Sequence, residues 1–135
     1  MAQQILLEIV TPEKTVLSEK VDVAVAPGEL GEFAVLANHI PFLTKLKVGE
    51  LRFRVGNTTR HITTMGGYAE VLPDRITILT AAAEEAGEID VMRAKAARER
   101  AEQRLRETRD KIAFTAAEAA LQRAITRLKV AERLS

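Results

Sequence analysis

Along the first two thirds of the chain apolar and polar residues alternate; beyond that the apolar positions step by three and four. Residues 3–10 form a mixed apolar run, Val21-Asp22-Val23-Ala24-Val25 alternates, and 51–55 alternates with Arg52 and Arg54 on the opposite face. A period of two turns every second side chain to one side, so these segments predict strands of a half-buried sheet. Gly56-Asn57 separates 51–55 from 58–64 with the residue types of a tight hairpin turn. Pro73-Asp74 marks a second turn, between 68–72 and 75–80. Strands punctuated this regularly predict an antiparallel sandwich or barrel.

From Ile89 the rhythm is helical. Ile89, Met92, Ala96, Ala97, Ala101 and Leu105 form one stripe, and Ala117, Leu121, Ala124, Ile125, Leu128 and Ala131 form another. Thr115-Ala116-Ala117-Glu118 has capping-box spacing, with Phe114 placed to staple it, which predicts that the second helix starts near 115 after a short connection at 110–114. Two helices joined so tightly fold back as an antiparallel hairpin. Their stripes are rich in alanine, which buries little apolar area per residue, so the hairpin is expected to depend on docking and to be movable.

The distribution of helix breakers fixes the boundary. Residues 88–135 hold eleven alanines and no glycine or proline, while all seven glycines and four prolines fall before them. The predicted fold class is therefore α+β: an N-terminal antiparallel β-sandwich, 1–87, followed by a C-terminal two-helix antiparallel hairpin, 88–135. At 135 residues, 47% hydrophobic and 29% charged, the composition is that of a globular chain. The start Met1-Ala2-Gln3-Gln4-Ile5 lacks the basic and apolar segments of a secretory signal, and there is no cysteine, so a cytoplasmic protein is expected.

A net charge of +1 conceals a polarity: 1–87 carries −3 and 88–135 carries +4. The basic end would attract acidic protein surfaces, phosphates or nucleotides, or would simply be a solvated helix face. A hairpin turning near 112 sets Arg100 opposite Arg123 and brings Arg93 towards Arg127. Four guanidiniums in one groove repel one another, and a polyanion such as a nucleoside triphosphate would reverse that cost. The other arrangement has them outward and paired with Glu99, Glu102, Glu118 or Glu132. Asp90 reads as an N-cap, with ribose binding as an additional role, and Glu84 as a solvated loop carboxylate or a contact for a base.

Catalytic signatures are missing. His39 and His61 lack neighbours in metal-ligand spacing, no Walker-type loop or nucleophile triad is present, and Gly66-Gly67 precedes a strand, as a bend or close backbone approach would. A nucleic-acid-binding module using the basic hairpin, or a purely structural adaptor, are the rival readings. Against the first, aromatic residues make up only 4% and no base-reading motif accompanies the charge.

Three stretches, taken in order, resemble the epsilon-subunit family of F-type ATP synthases: Gly66-Gly67-Tyr68-Ala69-Glu70-Val71 leading to Asp74-Arg75-Ile76-Thr77-Ile78-Leu79, then Ile89-Asp90-Val91-Met92-Arg93-Ala94, then 124–132. Gly31-Glu32-Phe33-Ala34-Val35-Leu36-Ala37-Asn38-His39-Ile40-Pro41 resembles the family loop near the membrane ring, with Ala34 where glycine is common and Ala37-Asn38 in place of Pro-Gly. The resemblance implies a non-catalytic subunit of the proton-driven rotary complex, binding the gamma subunit and the c-subunit ring, the latter through Glu32 and His39. It implies a hairpin that either folds beside the sandwich or extends into the alpha/beta hexamer, meeting acidic beta-subunit segments and blocking ATP hydrolysis. No cofactor is required. ATP enters as a regulatory ligand, with Glu84, Ile89, Asp90 and Ala94 around the adenosine and Arg93, Arg100, Arg123 and Arg127 on the phosphates. No metal and no nucleic acid are expected. The implied location is peripheral, on the cytoplasmic face of a bacterial membrane, or the stromal face of a thylakoid if plastid-encoded.

Overall fold

A computed structural model describes residues 3–134. Seven strands form one sheet: β1 (Ile5–Val10), β2 (Thr15–Val21), β3 (Val23–Gly28), β4 (Gly31–Val35), β5 (Phe42–Val55), β6 (Thr58–Val71) and β7 (Arg75–Leu79). Their order is β2-β1-β7-β6-β5-β3-β4. Neighbours are antiparallel except β1 and β7, which run parallel with Leu7 beside Ile76 and Ile9 beside Ile78. That parallel contact joins the first strand to the last, a long-range pairing that local alternation does not encode.

The sheet becomes two layers by bending at its longest hairpin. β5 and β6 are each 14 residues. One end of the hairpin pairs with β7 through Tyr68–Val71, and the other pairs with β3 through Arg52–Arg54. The bend needs glycine. At Gly67, φ is 106° and an added Cβ would lie 1.8 Å from the Leu79 carbonyl oxygen, so no side chain fits there. The close approach expected of Gly66-Gly67 is thus present.

Asp22 alone separates β2 from β3 and carries the chain between layers. Its amide donates to the Arg54 carbonyl at 2.8 Å, and its carboxylate accepts from the Gly56 amide at 2.7 Å and the Gln4 amide at 3.3 Å. The Gly56 bond first, then that of Gln4, holds the Asp22 carboxyl below the usual aspartate range. Between the layers, Ile5, Leu7, Ile9, Val21, Leu51, Phe53, Ile62, Val71, Ile76 and Ile78 are buried. Arg60 seals one flank: it lies 4.9 Å from the Phe53 ring centroid, bonds Glu19 at 2.7 Å and forks onto Glu85.

Two helices follow a 3₁₀ turn at Ala86–Glu88: α1 (Val91–Glu107) and α2 (Lys111–Ala131). α2 lies against β5 and β6, and α1 packs on α2. The α2 start differs from the capping-box expectation. Asp110 is the N-cap, accepting from the Ala113 amide at 3.1 Å, and Thr115 is inside the helix with its hydroxyl on the Lys111 carbonyl at 3.0 Å. An aspartate one turn earlier offers an equally good acceptor, and its cap leaves only 108–110 as the connection.

Moving the turn from 112 to 109 changes which residues meet. The buried positions facing across the hairpin are Ala94 and Ala101 on α1 and Ala117 and Ala124 on α2. Met92 and Ile125, expected in the stripes, are 77% and 41% exposed. Thr126 and Val130 instead form a second buried face on α2, towards the sandwich.

Candidate functional site

The site is built where the link between sandwich and hairpin meets both helices. Glu84 is fixed by strand-like bonds to β6: its amide donates to the Thr63 hydroxyl at 3.0 Å, and the Thr63 amide donates to its carbonyl at 2.9 Å. Asp90 caps α1, accepting from the Arg93 amide at 3.0 Å. The N-cap role assigned to Asp90 is therefore present.

A pocket of 270 Å³ opens here, lined by Glu84, Asp90, Arg93, Ala94, Ala97, Arg100 and Arg127. Six of the eight residues expected to form the nucleotide site thus surround one cavity. Ala94 and Ala97 supply a floor without bulk, and Arg93, Arg100 and Arg127 supply guanidiniums from both helices. Arg127 is held by Glu84, Nε to Oε1 at 2.7 Å. The pairing is an alternative to the outward pairs drawn from the sequence, of which none was with Glu84.

Two expected members stand apart. Ile89 is 8% exposed and packs with Ala86 and Val130, where it anchors the link under α2 instead of lining the pocket. Arg123 is exposed and outside the lining. The shifted turn explains this, because a connection centred on 109 rather than 112 changes which positions face across the hairpin, and the buried seam falls to Ala94, Ala101, Ala117 and Ala124. Ala97 was missed, although its place one turn after Arg93 marks it as the same face.

Glu32 and His39 lie on separate elements. Glu32, on β4, accepts from both terminal nitrogens of Arg52 at 2.8 and 3.4 Å. His39 sits after Asn38, whose φ of 67° gives the left-handed turn expected of it. Its Nδ1 is 2.7 Å from the Ile40 carbonyl. Around this loop Leu30, Leu36, Ile40 and Leu43 are all more than half exposed.

Among the described residues no cluster of side chains suits a metal ion, and no helix is long and apolar enough to cross a membrane.

A curled β-sandwich feeding a two-helix hairpin, with a basic pocket at their junction, defines the class. Family models for the ATP synthase delta/epsilon chain match it throughout, the beta-sandwich domain over residues 4–86 and the long alpha-helix domain over 88–132. The ATP synthase epsilon chain of Syntrophobacter fumaroxidans is 72% identical over 133 residues, covering 98% of this chain and 99% of that one. That of Nitratidesulfovibrio vulgaris strain DP4 is 48% identical over 130 residues, covering 96% and 97%. A chain in the cryo-EM structure of the Euglena gracilis mitochondrial ATP synthase, comprising OSCP, F1 and c-ring, superposes with a TM-score of 0.83 at 26% identity, covering 96% of this chain and 81% of that one. The chain belongs to the epsilon-subunit family of F-type ATP synthases.

Proposed function

We propose that this chain is a non-catalytic rotor subunit of the central stalk, coupling rotation of gamma and the c-ring to ATP synthesis. Its sandwich rests on gamma and the ring, with the exposed apolar loop around His39 turned towards the ring and Glu32 in support. Its hairpin moves between the docked position and an extended one, where its basic face meets acidic beta-subunit segments of the alpha/beta hexamer and blocks ATP hydrolysis. The complex sits peripherally on the cytoplasmic face of the membrane.

The observation that supports a nucleotide-sensing role is the pocket itself. Arg93, Arg100 and Arg127 line a cavity made jointly by the link, α1 and α2, and on this reading undocking the hairpin takes Glu84 out of it. A triphosphate there would satisfy repelling charges and stabilise the docked form alone. Ligand at about 100 times Kd contributes only ~2.7 kcal/mol, enough to bias a switch but not to build the fold. Titration calorimetry of the whole chain with ATP tests this. Binding weakened at least about tenfold by Arg93→Ala or Arg100→Ala, the loss expected of one charge-assisted contact, supports the site. Absence of binding at millimolar ATP would leave the arginines as partner contacts. The wider role is tested by adding the chain back to a complex lacking it; suppressed ATP hydrolysis and copurification with gamma are expected.

A further inference from the structure

Glu50 is the buried carboxylate that the nucleotide pocket does not use. It lies mid-strand in β5 beneath α2, with its side chain 7% exposed. A buried carboxylate needs charged partners, and its partners come from three elements. Arg133, in the 3₁₀ turn Glu132–Leu134, donates Nε to Oε2 at 2.8 Å and Nη2 to Oε1 at 3.2 Å. His61, on β6, places Nδ1 3.3 Å from Oε2, at ion-pair distance but without the alignment of a hydrogen bond. Lys129, on α2, lines the same cleft, as does the Glu32–Arg52 pair.

Arg127 and Arg133 thus tie one helix end to two different carboxylates. Arg127 belongs to the anion pocket, so a ligand there competes with its tie to Glu84. Arg133 stands outside that pocket.

We propose that Glu50 and Arg133 form a ligand-independent C-terminal latch, in which a sandwich carboxylate captures the final turn of the chain and sets how readily the hairpin leaves the sheet. The inference rests on the reading that the hairpin moves. Its two halves are unequal. Removing Arg133 leaves a desolvated carboxylate under α2 without its bidentate partner, which penalises the docked state specifically, because undocking returns Glu50 to water. Removing Glu50 takes away the group that needed a partner and leaves Arg133, already partly exposed, free to be hydrated.

The test uses the full chain, which has no native cysteine, with spin labels on Lys47→Cys and Gln122→Cys, on opposite walls of the cleft. In this labelled background a single short distance is expected. Arg133→Ala should raise the long-distance population at least about tenfold, the effect of one orphaned buried charge after discount for the exposure of its partner. Glu50→Ala should raise it less, because no buried charge is orphaned, and Glu50→Ala added to Arg133→Ala should bring the population back down to that of Glu50→Ala alone. A distance distribution unmoved by Arg133→Ala, or a double variant as open as Arg133→Ala alone, would overturn the latch. ATP hydrolysis by the assembled complex is a separate readout. An opened label pair with unchanged hydrolysis sinks the regulatory reading while the latch stands.

Discussion

The sandwich and the hairpin are of similar regularity but are held by different means. In the sandwich, aliphatic side chains from both layers interlock, and its polar ties cross long stretches of sequence, as Asp22 to Gly56 and Arg60 to Glu19 do. In the hairpin the buried positions facing across the seam are alanines, and α2 with the turn after it is tied to the link by Val130 and Arg127 and to the sheet by Arg133. The second arrangement rests on a small apolar contact and two arginine–carboxylate ties, and on the proposed reading it detaches while the sandwich stays folded.

Deleting the centre of the sandwich should have the largest effect. Phe53→Ala leaves a cavity between layers and removes the ring beneath Arg60, and a loss of about 3–5 kcal/mol in urea unfolding is expected. Gly67→Ala should cost ~3 kcal/mol, since the left-handed backbone is strained for alanine and the Leu79 carbonyl must move. Both should shift the urea transition of the sandwich to lower concentration, with no protected hairpin left beyond it. If the hairpin kept its protection when the sandwich melted, the dependence drawn here would be broken.

Changes confined to the hairpin should be smaller and local. Asp110→Ala removes the N-cap of α2 and should cost about 1 kcal/mol, seen as faster hydrogen exchange in 111–117 without change in the sandwich. Acid should act on the same element. Burial pushes the Glu50 carboxyl up, but the bonds and charge of Arg133, with His61 and Lys129, more than offset it and hold the docked carboxyl below its ordinary value of 4.5. A depressed carboxylate stabilises docking above the ordinary value, and that contribution is lost as pH falls through the depressed one. Hairpin protection should therefore fall below about pH 4.5, and this part of the pH dependence should vanish in Glu50→Ala. Smallest of all, Thr115→Ala should alter stability by less than about 0.5 kcal/mol, because Thr115 is a mid-helix residue bonded back to Lys111. A loss as large as that of Asp110→Ala would return the cap to Thr115.

Sequence and structure agree where chemistry is local and diverge where it depends on register. The close approach at Gly66-Gly67, the turns at Gly56-Asn57 and Pro73-Asp74 and the cap at Asp90 each rest on a few adjacent residues, and each is present. β2 and β4 escaped notice because their half-buried faces mix apolar and charged residues: Leu17 and Phe33 pack on the core, and Glu19 shares the face of Leu17. The parallel β1–β7 pairing has no local signal at all. At the pocket, two competing acceptors, Asp110 and Thr115, left the helix start ambiguous by one turn. That single ambiguity moved Arg123 out of the groove while leaving Arg93, Arg100 and Arg127 within it. The tie between Arg133 and Glu50 spans 83 positions, and only the folded chain reveals it.

The central claim is that the hairpin opens as a unit from a sandwich that remains closed, and that nucleotide favours the closed form. Native-state hydrogen exchange of the whole chain, with and without millimolar ATP, measures this directly. The expected result is that α1 and α2 amides exchange through an opening of lower free energy than those of β1, β6 and β7, and that ATP slows the helices selectively. A single opening free energy shared by helices and strands, unmoved by ATP, would contradict the account.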